Sequence, residues 1–259
     1  MFGFCPLASG SKGNCIYIGT KEAKVLIDVG ISSKQIEKRL AEINVELASI
    51  DAVIITHEHM DHVQGLNAIC KKRQIPIFAN RLTAQALIQT LKLEPRFKIF
   101  SSVEKFSFKD IEITPFCIQH DTLDPVGLIV KAANQKIGIC TDLGFVTSIV
   151  KHHLKECDYL FVEANHQPSM VYACNRPQLY KQRVLGRQGH LSNEECAELI
   201  SSVYHPNLKG VYLAHLSSEC NSKEMAMKIV IEHLQKKSQP LENLFIAYQE
   251  KPSEKVYFS

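Results

Sequence analysis

The sequence predicts an α/β fold: two mixed sheets packed face to face, flanked by helices, in a single domain over residues 1–259. Three observations predict it. Short β-branched and apolar runs alternate with helical periodicity, strand-rich in the first half and helix–strand in the second. The chain has 259 residues and is 45% hydrophobic, enough for a substantial core. No low-complexity linker divides it, and no internal repeat of the roughly 20–50-residue kind is present.

Composition narrows the function classes. Charged residues make up 22% and the formal net charge is +3, a mild basic excess that permits a nucleic-acid partner without arguing for one. The 9 cysteines are scattered with no C-x-x-C pair and mostly lie in apolar surroundings, which predicts reduced core thiols in a cytoplasmic protein. The apolar start, Met1 to Pro6, is short and lacks a basic region, so it does not read as a signal peptide. No run approaches the roughly 20 apolar residues of a membrane span. Oligomeric state is left open.

Taken in order, residues 2–7 read as a strand and Ser9-Gly10-Ser11-Lys12-Gly13-Asn14 as a turn-rich loop. Residues 15–18 and 23–27 are further strands, the second ending in Asp28-Val29-Gly30. Glycines in these loops either bring backbone amides close to a ligand, with Ser11 and Asn14 as candidate contacts, or form ordinary hairpin turns. Ser32-Ser33 caps a helix over 34–43, with Ile36, Leu40 and Ile43 at helical spacing. Residues 51–55 form a β-branched buried strand, and Val63, Leu66, Ile69 and Cys70 mark the helix after it. A strand at 75–79 and a helix at 83–91 follow, and 99–101, 104–108 and 111–118 alternate like strands of an antiparallel sheet. Strand 127–130 pairs with 136–140, helix 147–154 follows, and strand 159–163 ends in Glu163-Ala164-Asn165-His166. Residues 167–188 lack periodicity and carry Arg176, Lys181, Arg183 and Arg187, a functional or mobile stretch. Ser192 with Glu195 is a capping box opening the next helix. Strand 209–214 ends at His215, helix 222–236 follows, and strand 244–248 comes last.

Chemistry concentrates at His57-Glu58-His59-Met60-Asp61-His62, at the carboxyl end of a buried strand, where α/β proteins place their ligands. His57 and His59 are two apart and point to one side of an extended chain. Asp61 and His62 face a second point as the helix begins, so one turn offers ligands for two adjacent divalent ions. Imidazole with carboxylate suits Zn, Mn, Fe or Ni better than Ca. Asp61 stands where an H-E-x-x-H helix needs its second histidine, which excludes that motif. His120 and Asp142 also end buried strands and need partners there. His152, His153, His205 and His233 read as solvent-facing.

H-x-H-x-D-H after a hydrophobic strand resembles the metallo-β-lactamase fold family. The resemblance implies an αββα sandwich holding two divalent ions, Zn or Mn foremost and Fe or Ni acceptable. It implies that His57, His59 and His120 ligate one ion, Asp61, His62 and His215 the other, with Asp142 bridging and Asp28 holding the metal loop from behind. Paired cations lower the pKa of a shared water and neutralise the oxyanion formed on attack, and Asp61 is placed to take the water's proton. That chemistry hydrolyses phosphodiesters, thioesters or lactams. Asp142 stands where many β-lactamases carry cysteine, which with the missing export signal disfavours lactams. Only residues 216–259 follow His215, which leaves little for the helical substrate domain of glyoxalase II enzymes.

The layout Glu163-Ala164, Gly189-His190 and His215-Leu216-Ser217 is similar to the tRNA 3′-end nucleases of the fold (tRNase Z). It implies proton transfer at the scissile phosphate by His190, oriented by Glu163. Closer still is the YycJ (WalJ) branch, matched by Leu7-Ala8-Ser9-Gly10-Ser11, Leu26-Ile27-Asp28-Val29-Gly30, Thr141-Asp142-Leu143-Gly144, Arg183-Val184-Leu185-Gly186 and Gly189-His190-Leu191-Ser192-Asn193. This resemblance implies a cytoplasmic, metal-dependent 5′ to 3′ DNA exonuclease. Asn165, His166, Arg183 and Arg187 are then candidate substrate contacts, the arginines as phosphate binders. The chain departs from the branch in having no tryptophan and in carrying Cys220 where the branch is acidic. It also lacks the insertion between Asp142 and His215 that clamps long RNA in multi-domain nucleases, which favours short or single-stranded ends. The alternatives are a thioester or ester hydrolase of the glyoxalase II kind, and a metal-stabilised binding protein without turnover.

Overall fold

In the computed structural model, which describes residues 1–91 and 96–258, the apolar runs of the N-terminal portion assemble into one sheet. Its elements are β1 (Gly3–Ala8), β2 (Cys15–Gly19), β3 (Lys24–Ile27), α1 (Ser33–Ala41), β4 (Ala52–Ile54), α2 (Met60–Val63), α3 (Leu66–Lys72), β5 (Ile77–Asn80), α4 (Arg81–Leu91) and β6 (Phe97–Phe100). The second sheet is built from β7 (Phe106–Phe108), β8 (Ile111–Cys117), β9 (Val126–Ala132), β10 (Gln135–Cys140), α5 (Ser148–Leu154), β11 (Tyr159–Glu163), α6 (Pro168–Ala173), α7 (Gln178–Leu185), α8 (Asn193–Val203), β12 (Gly210–Ala214), α9 (Lys223–Lys236) and β13 (Leu244–Ile246). A final β14 (Val256–Tyr257) returns to pair with β1 in the first sheet.

Both sheets are mixed, with strand orders β14-β1-β2-β3-β4-β5-β6 and β13-β12-β11-β10-β9-β8-β7. Each joins an antiparallel meander to a parallel run: β3 to β6 in the first, β10 to β13 in the second. Between the sheets, Phe4, Ile18, Val25, Ile54, Leu128, Val130, Phe161 and Tyr212 form a closed apolar layer. The first sheet's outer face packs on α1, α3 and α4 through Ile36, Leu40, Leu66, Ile69 and Leu87. The second packs on α5, α8 and α9 through Val150, Leu154, Ile200, Val230 and Leu234. This is the αββα sandwich expected.

The structure departs from the expected elements in four places. Residues 97–100 do not join the antiparallel meander; β6 pairs parallel to β5, and the chain crosses to the other sheet before β7. Residues 167–188 are not irregular but carry α6 and α7, too short to show a period. β14 was not expected. His153 and His205 are not solvent-facing: His153 stacks on Phe116 with centroids 4.9 Å apart, and His205 Nε2 lies 2.9 Å from the Cys157 carbonyl.

Strand register positions the site. Ile27 pairs with Ile54, Cys140 with Val162 and Glu163 with Ala214, so the carboxyl ends of β3, β4, β10, β11 and β12 line one rim.

Candidate metal centre

Each polar residue of that rim is held by its strand end. Asp28, Asp142 and His215 adopt left-handed backbone, with φ of 56°, 56° and 54°. A non-glycine residue there costs of order 1–3 kcal/mol and persists only where its surroundings fix it. They do: the Asp28 amide donates to the Ile54 carbonyl at 2.8 Å, and the His215 amide to Ser9 Oγ at 2.8 Å.

Asp28 locks the loop from Thr56 to His62. Its Oδ1 accepts from the Thr56 amide at 2.9 Å, and its Oδ2 lies 2.8 Å from both Thr56 Oγ1 and His62 Nδ1. Holding Nδ1 as the donor leaves His62 Nε2 for a ligand. Asp28→Ala is therefore expected to weaken divalent metal affinity about 10–100-fold with the far-ultraviolet circular dichroism unchanged. Chelator competition checks this, and wild-type affinity would mean that Asp28 does not orient the loop.

Two ligand sets form, His57 with His59 and His120, and Asp61 with His62 and His215; within each, the ligand atoms lie within 4.8 Å of one another. Asp142 sits between them, Oδ2 at 3.1 Å from His62 Nε2 and Oδ1 at 3.6 Å from His120 Nε2. His120 turns Nδ1 to the Gly189 carbonyl (3.1 Å) and His215 turns Nδ1 to Glu163 Oε1 (2.8 Å), which frees both Nε2 atoms for the centre. His57 Nε2 and His215 Nε2 are buried without a hydrogen-bond partner. Orphaned atoms of this kind cost free energy unless a ligand meets them. The donor set, imidazole and carboxylate converging on two points, fits divalent cations.

Electrostatics agree. Burial depresses His57 and His120, which favours the neutral form that a metal ligand needs. Burial also opposes charge on His62 and His215, but facing carboxylates overcome it and hold both well above the ordinary histidine value: Asp28 and Asp142 for His62, and Asp142, Asp61 and Glu163 for His215. Burial would raise Asp142, yet the charges of His215 and His62 hold it well below the usual carboxylate range. Positive charge is stabilised where a cation would sit.

The pocket over these sets is about 310 Å³ and includes Ser11, Asp61, His190 and Arg183 in its lining. His190 precedes α8, whose Ser192–Glu195 capping box forms as expected. Its Nδ1 lies 2.9 Å from Glu163 Oε1, and Glu163 is fully buried. Glu163 thus steers His190 and His215 together.

Of the expected substrate contacts, Ser11 and Arg183 line this pocket and Arg187 lines the groove beside it. Asn14, Asn165 and His166 do not; all three are buried. Asn14 Oδ1 accepts from the Gly10 amide at 2.9 Å, and its Nδ2 lies 3.0 Å from His62 Nε2. Asn165 Nδ2 donates to the His215 carbonyl at 2.8 Å, and the His166 carbonyl accepts from the Asn193 amide at 2.9 Å. They brace the ligand loops from beneath, because a loop this buried must satisfy its own polar groups. Arg176 is paired with Glu219 and Lys181 with the Tyr172 carbonyl, away from the pocket. Asp121 was given no role by its position in the sequence. It pairs with Arg183 and lies 3.4 Å from His120 Nε2 and 3.8 Å from His59 Nε2. Its only sequence signal was an acid directly after a strand-end histidine.

A profile of the Beta-lactamase superfamily domain matches residues 23–215, the span from β3 to the last histidine of the centre. The chain belongs to the beta-lactamase superfamily. Within that superfamily it is 35% identical over 237 residues to exodeoxyribonuclease YycJ of Bacillus anthracis, covering 90% of this chain and 89% of that one. It is also 35% identical over 237 residues to exodeoxyribonuclease WalJ of Streptococcus pneumoniae serotype 2 (strain D39 / NCTC 7466), covering 90% and 88%. Among solved structures, the metallo-beta-lactamase fold protein YhfI of Bacillus subtilis aligns with a TM-score of 0.71 at 15% identity, covering 99% of this chain and 100% of that one. The short form of human tRNase Z aligns at 0.65 and 15%, covering 100% of each. At such identities these structures share the fold. As a superfamily member with this site, the protein is a metal-dependent hydrolase.

Proposed function

We propose that this hydrolase cleaves phosphodiester bonds as a 5′ to 3′ DNA exonuclease of the cytoplasm, with two divalent ions, zinc or manganese. The observation that carries the reading is the Glu163–His190 pair set against the two ligand sets. Hydrolysis of an unactivated phosphodiester needs a proton for the leaving oxygen, and His190 is in place to supply it. The likeness to two exodeoxyribonucleases supports DNA as the substrate. The nine cysteines are all free, in keeping with a reducing compartment. No helix among the described residues is long and apolar enough to cross a membrane.

His57, His59 and His120 would hold one ion and Asp61, His62 and His215 the other, with Asp142 shared. Bound ions supply a lowered water pKa and charge neutralisation at the phosphate. Asp61 takes a proton from the attacking water as the new P–O bond forms. His190 gives its Nε2 proton to the leaving sugar oxygen as the old P–O bond breaks. Glu163 holds Nδ1 and so fixes the orientation of the ring for the transfer.

Hydrolysis of end-labelled single- and double-stranded DNA, with manganese or zinc and His59→Ala alongside, tests the reading. Stepwise products from a 5′ end, absent in the variant, are expected. Intact DNA with turnover of a thioester instead would move the function to small-molecule hydrolysis.

A further inference from the structure

We infer that the groove beside the metal pocket is a nucleotide subsite, in which Phe145 and Arg187 stack the base next to the cleaved bond and Arg183 takes its phosphate. This rests on the nuclease reading and names how the substrate strand is held. The groove is about 690 Å³, within the roughly 300–1,000 Å³ range of ligand sites, and it meets the metal pocket at Arg183.

Its wall is rigid where stacking requires it. The Arg187 guanidinium lies 4.4 Å from the Phe145 ring centroid, with Phe145 half-buried and Arg187 exposed. The two loops touch backbone to backbone: a Cβ on Gly144 would lie 2.2 Å from the Arg187 carbonyl oxygen. The turn that carries Arg187 closes through the Gly189 amide on the Gly186 carbonyl at 2.9 Å. Gly189 in turn accepts from His120 Nδ1 at 3.1 Å and precedes His190. One turn therefore carries the stacking cation, a hydrogen bond to a candidate metal ligand and the proton donor. A base held on Phe145 and Arg187 is thereby indexed to the bond being cut.

Arg183 completes the subsite. Its guanidinium rests on Asp121, with Nη2 at 3.2 Å from Oδ1, in a pair that is partly open to solvent. Exposed pairs are weak, and a phosphate matches the guanidinium fork as well as a carboxylate does, so exchange is facile. Aromatic and guanidinium faces accept any base, which suits an enzyme that removes nucleotides without reading sequence.

The test uses the metal-loaded protein and single-stranded oligonucleotides, intact or with one abasic residue at the first, second or third position from the attacked end. Phe145→Ala is expected to raise KM on intact DNA about tenfold with kcat near wild type, and Phe145→Tyr to restore it. Arg187→Ala, on the surface and no threat to folding, is expected to raise KM as well. Wild type should lose a similar factor when the abasic residue occupies one particular position, and Phe145→Ala should lose nothing more there. If wild type cuts these substrates while Phe145→Ala and Arg187→Ala keep its KM, or if Phe145→Ala still suffers the full abasic penalty, the subsite is wrong and the nuclease reading stands. If wild type leaves every oligonucleotide intact, the nuclease reading falls and the subsite with it.

Discussion

Asp61→Ala is expected to lower turnover about 10³-fold or more while leaving the fold and its thermal unfolding close to wild type. Asp61 lies in the first turn of α2 and meets the centre only through its carboxylate, with Oδ2 at 3.8 Å from His62 Nε2 and 3.7 Å from His215 Nε2. Its side chain is 24% exposed, so truncation leaves no large cavity. The scaffold uses its backbone instead: the Asp61 carbonyl accepts from the Asn14 amide at 2.7 Å, a bond alanine keeps. Burial works against the charge on Asp61, but the neighbouring His215 and His62 imidazoles hold the carboxyl below its ordinary value. It is thus ionised at neutral pH, as a proton acceptor or ligand must be. Steady-state kinetics on DNA beside circular dichroism and metal content check this. Metal analysis should find the His57, His59 and His120 set still loaded. Near-normal kcat in Asp61→Ala would remove it from the reaction.

What could be read in the sequence, and what could not, divides along physical lines. Most strands were legible because short apolar runs are bounded by turn formers, and His57 to His62 because so many ligand types in one turn have no structural use. His120, Asp142 and His215 were legible as polar residues ending buried strands, where desolvation demands a partner. The left-handed backbone at Asp28, Asp142 and His215 left no local mark, since none of them is glycine. Nor did the sheet to which residues 97–100 belong, because strand pairing is set by distant residues. α6 and α7 bury Val171 and Val184 and little else, too few apolar positions to show a helical period. Asn14, Asn165 and His166 mark the limit most clearly. Sequence placed them beside the ligands, but only packing decides whether a polar side chain faces the substrate or the loop beneath it.

Gly30→Ala is expected to destabilise the protein by about 2–4 kcal/mol, roughly the sum of an overpacking cost and a lost buried hydrogen bond, and to impair metal binding with it. Gly30 needs space here rather than unusual dihedrals: a Cβ would lie 1.6 Å from the Asp61 carbonyl oxygen and 2.6 Å from the Asn14 amide nitrogen. Those are the two atoms of the hydrogen bond that ties the glycine-rich loop after β1 to the metal loop. The Gly30 amide also donates to the Asn14 carbonyl at 2.7 Å, and its neighbour Val29 donates to the His62 carbonyl at 2.8 Å. The added methyl must therefore push Asp61 and His62 away from β3, and both belong to the second ligand set. By contrast, a Cβ on Gly210 meets the Phe245 ring at 3.2 Å, well outside the centre, so Gly210→Ala should cost less and leave the ligands in place. Thermal unfolding of both variants with excess chelator and with added zinc separates the effects. In chelator, Gly30→Ala should melt below Gly210→Ala and wild type. Zinc should raise the melting temperature of wild type and Gly210→Ala by similar amounts and that of Gly30→Ala by much less. An equal zinc-induced rise in Gly30→Ala would show that the metal loop does not depend on the turn after β3.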